Sequence, residues 1–456
     1  MAVRDGLKEK GFGSKLGFVL AAAGSAVGLG NIWRFPYLAA QYGGGIFLII
    51  YIVLAVTFGF SLMLTEIAIG RRTGKSVIGA YRSINKRFSF LGWLAALVPV
   101  IITPYYCVIG GWVLKYLVTF ATGHGKDSTV NDSFFSDFIG AAAQPTVFFF
   151  IFLALTAIVV MLGVKKGIER ISKFMMPVLV VLTVGITIYT LTLDGAGEGL
   201  KYYLLPDVEG FTFSKLLKTI AAAMGQLFYS MSIAMGILVT YGSYMRKEDS
   251  LEQSVRHIEL FDTGIAVLSG LIIVPAVFIF SGGNSEALNK GPGLMFVTLP
   301  KVFESMAGGQ IIGTAFFILV ALAALTSSIS LLETVVSIIM EKFHLNRIPA
   351  CIITVVICAL LGMLSVLGYS SWSNVEIFGM QFLDFFDFIS NNLMMPIVAL
   401  MTCILIGWIE KIQFVEMEVL ESEKKFRSKA LVSVMLRYIC IICMIIIILT
   451  PFVTEL

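Results

Sequence analysis

Residues 24–31 read Gly24-Ser25-Ala26-Val27-Gly28-Leu29-Gly30-Asn31, in the middle of an apolar stretch long enough to cross a membrane. A glycine inside a helix costs about 1 kcal/mol. Three glycines within seven residues therefore predict that this membrane helix is broken near its centre. The alternative is an unbroken helix with a seam of small residues for close packing.

The composition of the whole chain agrees with a membrane location. Hydrophobic residues make up 58% of the 456 residues and charged residues 14%, whereas soluble domains have about 45–50% and about 25%. This excludes an ordinary water-soluble enzyme, a disordered protein and a nucleic-acid binder. All six cysteines lie in apolar runs, so we expect no disulfide framework.

We predict an all-α membrane protein, because backbone groups in a lipid bilayer must be satisfied within a helix. The eleven predicted spans, numbered 1 to 11 in chain order, are residues 15–40, 45–70, 90–121, 146–163, 172–193, 215–244, 257–282, 311–340, 348–368, 377–409 and 430–452.

The positive charges predict the orientation. If the N-terminus is cytoplasmic, 24 of the 33 Lys and Arg residues lie in cytoplasmic loops and six in outer loops. Positive residues are enriched on the cytoplasmic side. We therefore expect a multi-pass membrane protein with its N-terminus in the cytoplasm and its C-terminus outside.

Span 6 is interrupted as span 1 is, by Ser230-Met231-Ser232-Ile233-Ala234-Met235-Gly236. Interrupted helices five spans apart are typical of two inverted five-helix repeats, here spans 1–5 and 6–10, with span 11 as an extra helix. The predicted divisions are a cytoplasmic segment 1–14, a first repeat 15–193, an outer loop 194–214, a second repeat 215–411, a cytoplasmic loop 412–429 and a last helix with its tail 430–456.

Seven short strings resemble the neurotransmitter:sodium symporter family, in the family's order. They are residues 21–36 (AAAGSAVGLGNIWRFP), 42–45 (YGGG), 66–71 (EIAIGR), 105–106 (YY), 225–232 (GQLFYSMS), 240–244 (TYGSY) and 325–328 (LTSS). With eleven spans the chain is similar to a bacterial branch that includes a tyrosine transporter. The resemblance implies sodium-coupled transport of an amino acid, no enzymatic activity, and a monomer or weak homodimer.

The resemblance implies two sodium sites at the breaks. The first would be formed by Ala26, Asn31, Ser230 and Asp262, together with the substrate carboxylate. The second would be formed by Gly24, Val27, Ala323, Thr326 and Ser327. Carbonyl, hydroxyl and carboxylate oxygens suit a hard monovalent cation. The alternative for the two hydroxyl residues is a hydrogen bond to their own helix.

Asp262 also bears on chloride. Relatives that need chloride have a neutral residue at this position, so the resemblance implies that the carboxylate replaces the anion and that transport needs no chloride. An interfacial acid without function is the alternative. A second acid inside a span, Glu66, is expected to support the broken segments structurally.

The substrate pocket implied by the resemblance is lined by Ala26, Gly28, Gly30, Ile102, Tyr106, Tyr229, Ser230, Ser232, Met235, Ser327 and Leu331. Amine-transporting relatives have an aspartate where this chain has Gly28, so an amino acid with its own carboxylate is expected. Met235, Ile102 and Leu331 favour a hydrophobic or aromatic side chain.

Gates are expected on both sides of this pocket. The outer gate would consist of Arg34 with Asp384, or with Asp387 as the alternative, and a lid of Tyr106 and Tyr229. The inner gate would use Tyr244 and Glu341. The family's N-terminal arginine is replaced by Glu9, and the resemblance leaves open whether Arg4, Lys8 or Lys10 pairs with Glu341. A sensor or channel that does not pump, and a proton-coupled transporter, remain alternative functions.

Overall fold

The computed structural model describes residues 11–130, 133–206, 211–281 and 293–453. Over these residues the chain is helical, and only two isolated β-bridges occur, Gly44 with Pro206 and Ile377 with Met380. The predicted all-α class is confirmed for this part of the chain.

In the described part, nine helices are long and apolar enough to cross a membrane. They are Gly45–Thr73, Lys86–Ala121, Ala143–Met161, Val164–Leu191, Leu251–Phe280, Gly309–Phe343, Arg347–Tyr369, Phe382–Ile409 and Lys429–Leu449. A tenth is obtained if Lys15–Ala26 and Gly30–Gln41, which meet at an angle of 54°, form one broken span. These ten correspond to all the predicted spans except span 6.

Span 6 consists of two helices, Phe213–Ser230 and Ile237–Tyr244. The six residues between them, 231–236, are not helical. Both breaks expected from the sequence are therefore present. Because six residues separate the two helices of span 6, the count of eleven spans stays a prediction.

Two spans begin earlier than predicted. Span 5 starts at Val164 with a π-helical turn, not at residue 172, and span 7 starts at Leu251, not at residue 257. In both cases charged residues at the start of the helix were assigned to a loop. Charged side chains at a helix end are tolerated where they reach the interface, so the helix continues through them.

Shorter helices connect the spans at both ends of the bundle. They are Val77–Ile84, Asp127–Val130, Phe134–Gly140, Ala196–Leu204, Leu294–Thr298, Leu299–Ser305 and Gln413–Leu420. Spans 3 and 8 lie at the centre of the bundle, where they pack against each other and are buried along most of their length. All six cysteines are free and buried.

The break in span 1 is held by side chains. Val27 is extended, and the amide of Gly28 donates to Asn31 Oδ1 over 3.0 Å instead of to a helical carbonyl. An internal polar partner of this kind is required where backbone is unwound away from water.

The break in span 6 has a left-handed backbone at alternate residues. Ser232 has a φ of 54°, Ala234 of 62° and Gly236 of 72°. Such angles cost a non-glycine residue about 1–2 kcal/mol. Two contacts support them, from the Ala234 amide to Glu66 Oε1 at 2.7 Å and from the Ser232 hydroxyl to the Ser25 carbonyl at 3.0 Å.

Candidate functional site

A narrow cavity lies between the two breaks. Its free volume is about 20 Å³, which is room for one water molecule. A larger molecule would require side chains in the wall to move. The lining residues are Ser25, Ala26, Gly28, Leu29, Gly30, Asn31, Ile102, Tyr106, Tyr229, Ser232, Met235, Ile237, Ser327 and Leu331.

All but one of the residues predicted for the substrate pocket line this cavity. The exception is Ser230, whose hydroxyl donates to Asp262 over 2.6 Å. The sequence analysis omitted Ser25, Leu29 and Ile237. Ser25 and Leu29 belong to the glycine-rich stretch 24–31, so the predicted break already indicated that they could line a cavity. Ile237 is the first residue of the second helix of span 6, and nothing in the sequence around it indicated a role in the pocket.

Gly28 lies where two polar side chains converge. A Cβ atom built on it would be 2.8 Å from Ser327 Oγ and 3.0 Å from Tyr106 Oη. The Tyr106 hydroxyl also accepts a hydrogen bond from the Leu29 amide at 3.3 Å. Unwound amides and hydroxyls together offer hydrogen-bond donors to a carboxylate.

The residues predicted for the first sodium site come together at one carboxylate. Asn31 Nδ2 lies 2.7 Å from Asp262 Oδ1 and 2.9 Å from Ser230 Oγ. Asp262 is fully buried, which does not fit the alternative of an interfacial acid. Tyr51, which was not predicted, donates to Asp262 Oδ2 at 3.5 Å. Ala26 lies beside them in the cavity wall.

The oxygen atoms of this cluster fit a sodium ion. A buried carboxylate is costly without a counter-charge, and the Ser230 hydroxyl beside it is a neutral ligand of the kind that a hard cation prefers. The Asn31 amide oxygen accepts the Gly28 amide, so this side chain would have to turn to offer its oxygen to an ion. The Asn31 side chain presents its amide nitrogen to Asp262, so the ion would have to displace that hydrogen bond.

The residues predicted for the second sodium site also meet. Ser327 Oγ lies 3.4 Å from the carbonyl oxygens of both Gly24 and Val27, and Gly24 packs against Thr326. The Thr326 hydroxyl bonds to the carbonyl of Ala323 at 3.0 Å, within its own helix. Ser327 therefore contacts span 1, as the predicted site requires, whereas Thr326 forms the alternative hydrogen bond within its own helix.

Gln226 and Glu66 form hydrogen bonds with backbone groups at the breaks of spans 1 and 6. Gln226 Nε2 donates to the Gly30 carbonyl at 2.9 Å, and Glu66 Oε1 accepts the amide of Ala234. Glu66 is almost completely buried. This placement agrees with the structural role expected for that acid.

The expected outer ion pair is not formed. Arg34 lies over the ring of Tyr229, with 5.4 Å between the guanidinium carbon and the ring centroid. Asp384 accepts a hydrogen bond from Tyr369 at 3.4 Å, and no ion pair in the described residues joins it to Arg34. The arginine stacks on the predicted aromatic lid instead.

Asp387, the alternative partner, is nearer to the lid. Its Oδ1 accepts hydrogen bonds from Tyr105 at 3.2 Å and from Asn391 at 2.6 Å. Among the described residues no ion pair joins Asp387 to Arg34 either, so neither of the two predicted ion pairs of the outer gate is present in this structure.

A buried charge network at the end of the bundle that is predicted to be cytoplasmic was missed. The Tyr244 hydroxyl donates to Glu333 Oε1 at 2.8 Å, and Arg347 contacts the same carboxylate at 2.5 and 3.0 Å. Glu333 is fully buried. It lies within an apolar run, where its charge was itself a signal, whereas Arg347 was counted as a loop residue.

Glu341 does not bind the N-terminal segment in the described residues. Its Oε2 accepts the amide of Ser76 at 2.5 Å and so caps the helix Val77–Ile84. The cations expected to pair with it, Arg4, Lys8 and Lys10, and the replaced position Glu9 lie outside the described residues.

Glu169 holds the start of the described chain instead. Its carboxylate accepts the Gly13 amide at 2.6 Å and the Ser14 hydroxyl at 2.8 Å, and it pairs with Lys173 at 2.6 Å. Phe12 packs edge-on against Tyr241 and Tyr244. The end of span 6 that is predicted to be cytoplasmic is therefore covered by Phe12.

Comparison with known proteins gives a consistent result. The model of the Sodium:neurotransmitter symporter family matches residues 9–134 and 132–455. A sodium-dependent transporter of Bacillus subtilis (strain 168), YhdH, is 36% identical over 86% of this chain and 86% of its own length. A sodium-dependent transporter of Haemophilus influenzae (strain ATCC 51907 / DSM 11121 / KW20 / Rd) is 34% identical over 87% of this chain and 89% of its own.

A solved structure shares the fold as well. The crystal structure of MhsT in complex with L-phenylalanine superimposes with a TM-score of 0.86 and 37% sequence identity, over 97% of this chain and 100% of that chain. The paired breaks, the buried oxygen cluster and these similarities agree, and the protein belongs to the sodium:neurotransmitter symporter family, a family of multi-pass membrane transporters.

Proposed function

We propose that this protein is a sodium-coupled symporter that imports a hydrophobic or aromatic L-amino acid into a bacterial cell by alternating access. One observation carries the proposal. The cavity between the two breaks is lined on one side by Asn31, which contacts the buried acid Asp262, and on the other by Ser327, which contacts span 1 carbonyls. Two cations and a zwitterion could thus share one site.

The proposed topology has eleven spans, with two inverted repeats of five and the N-terminus in the cytoplasm. The distribution of Lys and Arg supports this orientation. The two helices of span 6 support the count, because together they are long enough to cross a bilayer.

In this proposal the substrate carboxylate binds near Gly28, where the Tyr106 hydroxyl and unwound amides converge, and completes the first sodium site. The side chain then faces Ile102, Met235 and Leu331. An apolar wall with a flexible methionine accepts large hydrophobic groups. The solved relative that binds L-phenylalanine supports the same substrate class.

We further propose that transport is independent of chloride. The carboxylate of Asp262 is buried, and its hydrogen bonds come from neutral groups. It therefore provides a fixed negative charge beside the first sodium site, where an added anion would be repelled.

The residues of this chain would couple the two sides as follows. Substrate and sodium together join spans 1, 6 and 7, because the ligands of the first site come from all three. Tyr106 and Tyr229 then close over the substrate, and Arg34 moves from the Tyr229 ring to an acid of span 10. Inward opening requires separation of Tyr244 from Glu333, which loosens the cytoplasmic end.

Uptake into proteoliposomes tests the proposal. Radiolabelled phenylalanine, leucine, tyrosine and tryptophan are compared with glycine and glutamate, under an inward sodium gradient and with gluconate or chloride as the anion. We expect accumulation of the large apolar amino acids above the outside concentration, only with sodium, and equally with either anion.

Other outcomes would overturn parts of the proposal. Binding without accumulation indicates a sensor, and equilibration without a sodium requirement indicates a channel. Accumulation driven by a pH gradient alone indicates a proton-coupled transporter. A large loss of uptake in gluconate contradicts the role proposed for Asp262.

A further inference from the structure

Residues 410–428, which we call the connector, join the end of span 10 to the start of span 11. They lie at the end of the bundle that is predicted to be cytoplasmic, and their central part is the helix Gln413–Leu420. The proposed transport mechanism gives the connector no task. Its side chains nevertheless bind the ends of several spans that take part in that mechanism.

The connector is bound to span 2 by a buried arginine. Arg71 lies in the last turn of span 2, and its side chain is completely buried. Its Nε donates to Glu418 Oε1 of the connector over 2.8 Å, and its Nη2 donates to the Glu418 carbonyl over 3.1 Å. Two further hydrogen bonds reach the loop between spans 6 and 7, at the carbonyls of Asp249 (2.8 Å) and Lys247 (3.2 Å). One guanidinium group thus joins span 2, this loop and the connector.

Glu418 receives positive charge from two sides. Its side chain is 3% exposed, and Lys247 Nζ lies 2.6 Å from the same Oε1 atom that Arg71 contacts. Separation of a buried ion pair leaves two charges without compensation, which is strongly unfavourable. A contact of this kind is unsuited to opening in every transport cycle. The three elements that Arg71 joins are therefore expected to stay together.

The connector also caps the first turn of span 7. Ser250, the residue before the helix, makes no side-chain cap of its own. Instead, Glu423 Oε1 accepts the Ser250 hydroxyl at 2.8 Å and the Glu252 amide at 2.7 Å, and Glu252 accepts the hydroxyl of Ser428 at 2.5 Å. A carboxylate at a helix N-terminus satisfies free amides and faces the positive end of the helix dipole. Span 7 carries Asp262, so the connector holds a helix of the first sodium site.

The second helix of span 6 belongs to the same group of elements. A Cβ atom built on Gly70 of span 2 would overlap the carbonyl of Val239, and one built on Gly242 would overlap the carbonyl of Ile67. The backbones of the two helices are therefore in direct contact, as glycine allows in membrane helices. Span 2, the second helix of span 6, the start of span 7 and the connector thus form one continuously bonded unit.

The connector leaves span 10 at a residue with an unusual backbone. Lys411, between Phe382–Ile409 and Gln413–Leu420, has a φ of 61°, which a residue other than glycine rarely adopts. Just before it, Glu410 accepts Asn85 Nδ2 at 3.2 Å, next to the start of span 3. The chain therefore changes partners at Lys411, from the span 3 side to spans 2 and 7. Residues at the ends of elements that take up such angles are typical of hinges.

We propose that during transport the connector moves as one body with span 2, the second helix of span 6 and the start of span 7, and that this body turns about Lys411 relative to span 10. Arg71 is the positioning residue that holds the body together. It contacts neither substrate nor ion and acts through Glu418 and the loop between spans 6 and 7. The inference rests on the proposed symport, because it describes how movement at the breaks reaches the far end of the bundle.

Distances between spin labels test this proposal. The six native cysteines are buried, so labels can be placed at exposed positions by Glu421→Cys in the connector, His257→Cys in span 7 and Phe343→Cys at the end of span 8. The three pairs are measured by double electron–electron resonance without sodium, with sodium, and with sodium and phenylalanine. We expect the distance from connector to span 7 to change by less than about 1 Å. Both distances to span 8 should change together by more than about 2 Å.

Two variants test the role of Arg71. Arg71→Lys keeps the charge but loses the planar fork that serves several acceptors, and Glu418→Gln removes the counter-charge. Each should leave equilibrium binding of phenylalanine within about twofold of the wild type and lower the rate of uptake about tenfold or more. In each, the distance from connector to span 7 should become ligand-dependent. The matched control is Glu416→Gln on the same connector helix, which removes an ion pair with the half-exposed Lys429 and should change neither quantity.

Three results would overturn the proposal. The first is a ligand-dependent distance from connector to span 7 in the chain that is otherwise wild type, which would show that the two separate. The second is a constant distance from connector to span 8 while span 7 moves relative to span 8, which would show that the connector stays with the rest of the bundle. The third is an equal loss of uptake in Glu418→Gln and Glu416→Gln, which would show a general effect of charge.

Failure of the proposed symport would have a different signature. Sodium and phenylalanine would then change none of the three distances, and the proposal for the connector would fall with it. If a variant of Arg71 fails to fold, the distances in the otherwise wild-type chain and the comparison of Glu418→Gln with Glu416→Gln still decide the outcome.

Discussion

Asn31 Nδ2 and Asp262 Oδ1 are 2.7 Å apart, and the Ser230 hydroxyl donates to the same carboxylate oxygen over 2.6 Å. One oxygen atom thereby joins the broken parts of spans 1 and 6 to the continuous span 7. Ligands that enter this cluster would act on three spans at once, which is the arrangement that a coupled transporter needs.

The first prediction concerns the charge at this junction. A hydrogen bond to a charged group contributes about 1.5–3 kcal/mol, so Asp262→Asn should lower the apparent sodium affinity about tenfold or more. Sodium dependence of labelled-substrate binding measures it. Glu259→Gln is the matched control, because Glu259 is also buried, lies one turn away and takes no hydrogen bond in the described part. Equal losses in the two variants would contradict the prediction.

The second prediction concerns the space beside Gly28. The added methyl group of Gly28→Ala would meet Ser327 Oγ at 2.8 Å and Tyr106 Oη at 3.0 Å, and overpacking of this kind costs about 1–3 kcal/mol. Substrate affinity should therefore fall about tenfold, measured by equilibrium binding. Gly185→Ala, whose methyl group meets nothing within 4 Å, should leave affinity unchanged. Wild-type affinity in Gly28→Ala would exclude this position from the pocket.

The third prediction concerns the buried network of Glu333, Arg347 and Tyr244. Removal of one partner of a buried ion pair costs about 3–5 kcal/mol, whereas removal of both costs less. Glu333→Gln and Arg347→Gln should each lower the unfolding temperature by several degrees. The double variant should be more stable than either single one. A double variant that loses the sum of the two single effects would show that the charges are not coupled.

The fourth prediction separates two acids, Glu169 and Glu341, at the end of the bundle that is predicted to be cytoplasmic. Glu169→Ala removes the acceptor of the Gly13 amide, and Glu341→Ala removes that of the Ser76 amide. Hydrogen–deuterium exchange should become about tenfold faster around residue 13 in the first variant and around residue 76 in the second, since each bond to a carboxylate contributes about 1.5 kcal/mol or more. If either variant loosened both segments alike, the acids would not act independently.

The sequence was most informative where a residue type breaks a pattern. Glycines in span 1 predicted the unwound segment, and the acid Asp262 inside span 7 indicated a functional position, although its partners Asn31 and Ser230 were implied only by the family resemblance. Both are local conflicts with an apolar helix, so they are visible without knowledge of neighbours. The family resemblance supplied the pairing between spans 1 and 8, which no local pattern contains.

Pairings between distant charged residues were least predictable. Arg34 was matched with Asp384, but it stacks on Tyr229, because a long side chain selects a partner by the depth and direction of neighbouring helices. Glu341 was matched with an N-terminal cation and instead caps a helix, while Glu169 holds residues 13 and 14. Several acids lie near the N-terminal segment, and their spacing along the chain does not show which of them binds it.

The alternating left-handed residues Ser232, Ala234 and Gly236 have a thermodynamic consequence for ligand capture. Glu66 and Ser25 already stabilise the unwound backbone. A ligand therefore does not have to unwind a helix before it can bind to peptide groups. The free energy of ligand binding can therefore drive closure of the surrounding helices, because none of it is needed to unwind a helix.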